Sequence, residues 1–116
     1  MKLDFKNKTV LILGCSSGIG AQTARIFLEN NWKVIGHYNK SKKKVANLQK
    51  KYGAQIKLFK LDLSNSKKIL TFAKKKLVSI KKIDSFISLT GYIKSADFDH
   101  INHKSFLDHI NVNYYS

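Results

Sequence analysis

Residues 9–20 read Thr-Val-Leu-Ile-Leu-Gly-Cys-Ser-Ser-Gly-Ile-Gly. Thr9 to Leu13 form a short apolar, partly β-branched run, the composition of a central parallel strand. Gly14 stops it, and Gly18 and Gly20 open a segment with helical periodicity. A strand that feeds a glycine turn and a helix N-terminus makes an anion site. The first helical amides lack intrahelical partners, the helix dipole is positive there, and absent side chains let a diphosphate approach the backbone.

Working outward, the pattern predicts alternating strands and helices. A helix over Gly18–Asn30 places Ile19, Thr23, Ile26 and Phe27 at helical spacing, with Ala24 allowing close approach. Asn30 and Asn31 are stop residues, since asparagine tolerates the left-handed conformation. A strand follows at Lys33–His37. A helix capped by Ser41 carries Val45, Leu48 and Tyr52 on one face and ends at Gly53. Gln55–Leu61 alternates Ile56, Leu58, Phe59 and Leu61 with lysines, as an outer strand does. Ser64 is the N-cap candidate for a helix over Ser66–Val78 striped by Ile69, Phe72, Ala73 and Leu77. Ile83–Leu89 is the fourth strand. A loop over Thr90–Asn102 leads to a last helix from His103 carrying Phe106, Ile110 and Tyr114.

The order βαβαβαβα predicts a parallel sheet with right-handed crossovers and helices on both faces. The strands stack 3-2-1-4. The switch point then lies at the carboxyl ends of strands one and four, beside Gly14. Strand four becomes an edge although its sequence, Phe86-Ile87-Ser88-Leu89, reads as buried. Open backbone groups there predict aggregation, a partner chain or poor stability.

Composition sets bounds. The chain has 116 residues, 43% hydrophobic and 25% charged, which fits one small globular domain. There is no proline, repeat or low-complexity linker. Lys+Arg is 22 against Asp+Glu 7, a formal +15. Arg25 is the only arginine. Lysines spread along outer helix faces account for this charge, with attraction to anionic ligands or nucleic acid as the rival reading. The single Cys15 forbids an internal disulfide and fits a reducing cytoplasm. No run approaches a membrane span and the first residues contain no signal region; the expected location is cytoplasmic.

Several residues invite chemical roles. Cys15 in the turn could be a lowered-pKa thiol, but a small side chain filling the turn explains it. His37, His100, His103 and His109 lack a recognised metal spacing and read as loop and helix-surface histidines; no metal is expected. Asp97 and Asp99 beside His100 read as an exposed loop, and Tyr114 and Tyr115 as helix packing.

The glycines Gly14, Gly18 and Gly20, spaced G-x-x-x-G-x-G, together with the strand pattern, resemble the N-terminal half of a short-chain dehydrogenase/reductase. The resemblance covers essentially the whole chain. It implies a Rossmann-type three-layer α/β fold, one domain over 1–116 that is incomplete at its C-terminus. It implies that Gly14, Ser16, Ser17, Gly18, Ile19 and Gly20 cradle a dinucleotide diphosphate. Asp62-Leu63 looks like the pair that holds adenine. Leu89, Thr90 and Gly91 would flank the cofactor ribose. Asn113, within Asn111-Val112-Asn113, matches the active-site asparagine. Asp84 and Gly91 match the strand-four region. Relatives are expected to be homo-oligomers acting on a small carbonyl or alcohol.

The chain departs from the family at Leu13, where threonine is usual, and at Ser88-Leu89-Thr90-Gly91, where N-N-A-G is usual. Both lie by the switch point, so apolar packing is expected to replace a polar link. The catalytic serine and the Y-x-x-x-K pair are not found; Tyr38 and Lys42 fit that spacing by chance. Negligible turnover is therefore expected of this chain alone.

An acidic residue at the end of strand two, which would hold an NAD ribose, is absent. His37-Tyr38-Asn39-Lys40-Ser41 stands there instead; Asn39 and Ser41 can donate hydrogen bonds to a 2′-phosphate, and Lys40 or Lys42 can supply charge. NADP(H) is favoured over NAD(H), although Ser17 sits where a basic residue is common. Two other classes stay open: a non-catalytic dinucleotide-binding or interaction module, and a basic nucleic-acid-binding fragment.

Overall fold

Leu11 and Ile12 lie at the centre of a parallel ladder, and that register organises the sheet. In a computed structural model of the chain, β1 (Thr9–Leu13) pairs with β2 (Lys33–Tyr38) through Leu11 opposite Ile35, and with β4 (Ser85–Ser88) through Leu11 opposite Phe86. β3 (Ile56–Lys60) pairs with β2 through His37 opposite Phe59. All pairs are parallel and the order is β3-β2-β1-β4, as the alternation predicts. The structure describes residues 6–40, 42–91 and 102–115, and only the backbone of Ser105, Phe106, His109, Tyr114 and Tyr115.

The chain divides into two compact units. The first takes the described residues up to Leu61 together with Ile80–Leu89, and contains the whole sheet with α1 (Gly18–Glu29) and α2 (Lys43–Tyr52). Its core lies between one sheet face and these helices. Val10 and Ile12, two residues apart, meet Val34, Ile56, Ala24, Leu28 and Val45, with Ile87, Leu89 and Leu58 packed against them. Alternation along a strand sends Leu11, Ile35 and Phe86 to the opposite face; Leu11 and Ile35 are buried and Phe86 is exposed.

Helix ends follow local chemistry. α1 stops at Asn30, and Asn31 takes the left-handed conformation at φ 65°. Gly53 does the same after α2 at φ 56°. Gln55 is not a strand residue. It lies in a 3-10 turn (Gly53–Gln55), and its Nε2 donates to the carbonyls of Leu28 and Trp32, both at 2.9 Å. It thereby adds a second donor to the Leu28 carbonyl, which already accepts from the Asn31 amide at 3.1 Å.

The second unit takes Asp62–Ser79 and the described residues from Thr90 onward. It holds α3 (Ser66–Lys75), a 3-10 turn (Leu77–Ser79), α4 (His103–Ile110) and a π-helical turn (Asn111–Tyr115). Asn65, not Ser64, caps α3; its side chain accepts from the Lys68 amide at 3.1 Å. Ser64 is engaged by Asp62 instead. Strand four is shorter than its apolar run, because Ile83 and Asp84 precede the ladder and Leu89 follows it.

Leu3, Phe5, Ser41, Asp97, Asp99 and His100 lie outside the described residues, as do the side chains of Phe106, His109, Tyr114 and Tyr115. Among the described residues no helix is long and apolar enough to cross a membrane.

Candidate functional site: the glycine turn and its surroundings

Gly14 leaves β1 at φ 81°, a conformation that side chains resist. Its carbonyl then accepts from the Ser17 amide at 3.3 Å and from the Ser17 hydroxyl at 2.9 Å. Ser17 is the N-cap of α1, and its Oγ accepts from the Gly20 amide at 2.8 Å. This closes the turn on itself. A Cβ at Gly20 would lie 1.9 Å from the Gly14 carbonyl oxygen, so residue 20 must lack one. At Gly18 the nearest atom to an added Cβ is Lys44 Nζ at 3.7 Å. The surface over Gly18 is open, and Ile19 beside it is 72% exposed.

The amides of Gly18 and Ile19 open the helix and have no carbonyl a turn back within it. No acidic residue lies in the first turn. An exposed helix start with open space above a glycine, a lysine ammonium nearby and no carboxylate fits a phosphorylated anion such as a dinucleotide diphosphate.

Cys15 faces the other way. Its amide donates to the His37 carbonyl at 2.8 Å, and its side chain is fully buried in the core against Gly36. Burial pushes the Cys15 thiol up to about 11, so it stays a thiol that fills space.

His37 corrects the reading of the histidines as surface groups. It is 3% exposed. Its Nδ1 accepts from the Gly14 amide at 3.1 Å, and its Nε2 donates to the Leu61 carbonyl at 2.7 Å. Together these bonds require the neutral Nε2–H tautomer. Burial holds its pKa below the usual histidine value, opposed by the Leu61 carbonyl. The Phe59 ring stands 5.5 Å away, tilted by 50°. The signal in the sequence was parity: His37 shares a strand face with Ile35, so it turns inward.

Tyr38 and Asn39 follow at the end of β2, both half-buried, and Lys40 is exposed. The Tyr38 carbonyl accepts from the Leu61 amide at 3.0 Å. Ser41 is outside the described residues. Across the β1–β4 pair, Leu13 stands opposite Ser88 and the Leu89 amide donates to the Leu13 carbonyl at 2.9 Å. Leu89 packs on the core. The link at the switch point is thus a backbone hydrogen bond with apolar packing on the Leu89 side.

In the second unit, Asp62 Oδ1 accepts from the Ser64 hydroxyl at 2.7 Å and the Ser64 amide at 2.9 Å. The hydroxyl first, then the amide, hold its carboxyl below the usual range, aided by Lys68 and Lys104. Leu63 is buried, Thr90 half-buried and Gly91 exposed. Asn113 lies in the π-helical turn and is exposed. It neighbours Gly91: a Cβ there would meet Asn113 Oδ1 at 3.8 Å. The predicted residues therefore fall into two sets. Gly14, Ser16, Ser17, Gly18, Ile19, Gly20, Tyr38, Asn39, Lys40 and Leu89 are in the first unit, and Asp62, Leu63, Thr90, Gly91 and Asn113 in the second. Among the described residues no three His, Cys, Asp or Glu side chains gather as a metal site would require.

Known proteins share this fold. The NADP-dependent mannitol dehydrogenase of Aureobasidium melanogenum is 31% identical over 101 residues, 82% of this chain. The chain spans 37% of that relative's length. A Burkholderia multivorans short-chain dehydrogenase/reductase with bound NADP superposes at a TM-score of 0.76 and 22% identity, covering 94% of this chain and 48% of that one. A Leptospira borgpetersenii short-chain dehydrogenase with bound NAD+ superposes at 0.79 and 21% identity, covering 97% and 42%. The family model for short chain dehydrogenases matches residues 8–116. With that match over a β3-β2-β1-β4 sheet whose first strand ends in the glycine turn, the chain belongs to the short-chain dehydrogenase family of oxidoreductases.

Proposed function

We propose that residues 1–116 form one dinucleotide-binding domain that takes NADP(H) in preference to NAD(H), and that the activity it serves is reversible hydride transfer between the nicotinamide and a small carbonyl or alcohol. The observation that carries the reading is the exposed start of α1, where Gly18 has open space over it and Lys44 Nζ stands nearby. In this reading Gly18 and Ile19 bind the diphosphate through their amides. Gly14, Ser17 and Gly20 hold the turn in shape, with Ser16 beside them. Tyr38, Asn39, Lys40 and Ser41 receive the adenosine ribose. No carboxylate among them repels a 2′-phosphate, and the name of the Aureobasidium relative points the same way. The nicotinamide supplies the hydride when bound; the chain's own residues position it and exclude water. Asp62 and Leu63 serve the adenine, Leu89, Thr90 and Gly91 the ribose, and Asn113 a proton relay. A serine and a Y-x-x-x-K pair in the family pattern are not among these 116 residues, so binding without measurable turnover is expected of the chain alone.

Calorimetric titration tests this. Saturable NADPH binding, with NADH at least about tenfold weaker, supports the reading. Binding that is equal for any polyanion and falls steeply with salt would instead favour charge attraction by the lysines.

A further inference from the structure

Among the described residues His37 is the one buried polar side chain, and the proposed chemistry leaves it without a task. Its surroundings define one. The Gly14 amide lies at the end of β1, where the chain turns to φ 81° and leaves the ladder. The imidazole accepts that amide at 3.1 Å and donates to Leu61, just beyond β3, at 2.7 Å. The His37 backbone carbonyl accepts the next amide, Cys15, at 2.8 Å. One residue of β2 therefore fastens two consecutive amides of the turn and a carbonyl following the outer strand.

We propose that His37 is a positioning residue of the dinucleotide site, its imidazole fixing the Gly14 amide so that the glycine turn holds its binding shape before a ligand arrives. The proposal rests on reading the turn as that site. The transmission is short. The Gly14 carbonyl receives both the amide and the hydroxyl of Ser17, and Ser17 Oγ in turn receives the Gly20 amide. Rotation of Gly14 would therefore reach the cap of α1 and the amides of Gly18 and Ile19. The half-buried Gly14 amide, once it loses its acceptor, is free to turn toward another, and a glycine resists that rotation less than any other residue.

Two isosteres divide the imidazole. The Oδ1 of asparagine falls near the place of Nδ1 and can accept from Gly14. The Nε2 of glutamine falls near the place of Nε2 and can donate to Leu61. The experiment measures Gly14 amide exchange by NMR and NADPH affinity by calorimetry on the 116-residue chain, for the parent, His37→Asn, His37→Gln and His37→Leu. His37→Asn is expected to keep Gly14 protection and to bind within about threefold of the parent; His37→Gln and His37→Leu are expected to lose that protection and to bind about tenfold or more weakly. Equal NADPH affinity for parent, His37→Asn and His37→Gln overturns the proposal while leaving the NADP(H) reading intact. A parent that does not bind NADPH overturns the reading itself, and the proposal with it. Should His37→Gln and His37→Leu fail to fold, His37→Asn decides, and a tenfold loss of affinity in that folded variant overturns the proposal.

Discussion

Thr9 and Asp84 bind each other twice. The Asp84 amide donates to the Thr9 carbonyl at 2.8 Å, and the Thr9 amide donates to Asp84 Oδ2 at 2.9 Å. The other carboxylate oxygen faces Lys82 at 3.0 Å and Lys8 at 3.6 Å. This exchange pins the start of β1 to the residue before β4 and sets the register in which Leu11 meets Phe86.

Asp84 gives the fold an acid limb. The Thr9 amide, then Lys82 and Lys8, hold its carboxyl below the ordinary value of 3.8. A group whose folded pKa is depressed stabilises fully above its unfolded pKa and loses that contribution as pH falls through the folded value. Denaturant midpoints measured against pH should therefore drop below about pH 4. Asp84→Asn keeps an acceptor for Thr9 but not the charge; it should lower the neutral midpoint and flatten its fall in acid.

Gly20 and Gly18 should respond unequally to the same methyl group. Gly20→Ala forces a Cβ to within 1.9 Å of the Gly14 carbonyl oxygen. The turn must shift, at a cost of about 1–3 kcal/mol, and NADPH binding should be lost with it. Gly18→Ala meets its nearest atom at 3.7 Å and should leave stability within about 0.5 kcal/mol. Chemical denaturation and calorimetric titration of the pair check both.

Cys15 should be inert in the folded protein. It is fully buried with its thiol pushed up to about 11. At neutral pH a thiol reagent should label it at the rate of global opening, and rapidly in denaturant. Labelling of native protein as fast as of unfolded protein would contradict the packed position.

Phe86 should promote self-association. Among the described residues β4 stands at one end of the sheet order, and Phe86 is 59% exposed there. An apolar side chain on an end strand invites pairing with a second chain. Sedimentation should show association that rises with concentration, and Phe86→Lys should reduce it at unchanged far-ultraviolet circular dichroism.

The sequence by itself determined the element order, the strand order and the glycine turn. Periodicity and turn chemistry are local: Val10 and Ile12 alternate with Leu11, Gly53 stands where a left-handed residue is needed, and Gly14, Gly18 and Gly20 follow a strand and open a helix. The boundaries were less legible where distant groups compete. Gln55 leaves β3 because its amide finds the Leu28 and Trp32 carbonyls more than twenty residues away. Ser64 gives up the cap of α3 because Asp62 engages its hydroxyl, and Asn65 takes the cap. Tertiary structure alone decided the inner side of the turn. The opening stretch reads as a row of glycines aimed at an anion, but its first amide is turned inward to His37. Strand parity puts His37 on the face of Ile35, but no local pattern names its partners, because the Gly14 amide is brought to it by parallel pairing of β1 with β2 and the Leu61 carbonyl by pairing of β2 with β3.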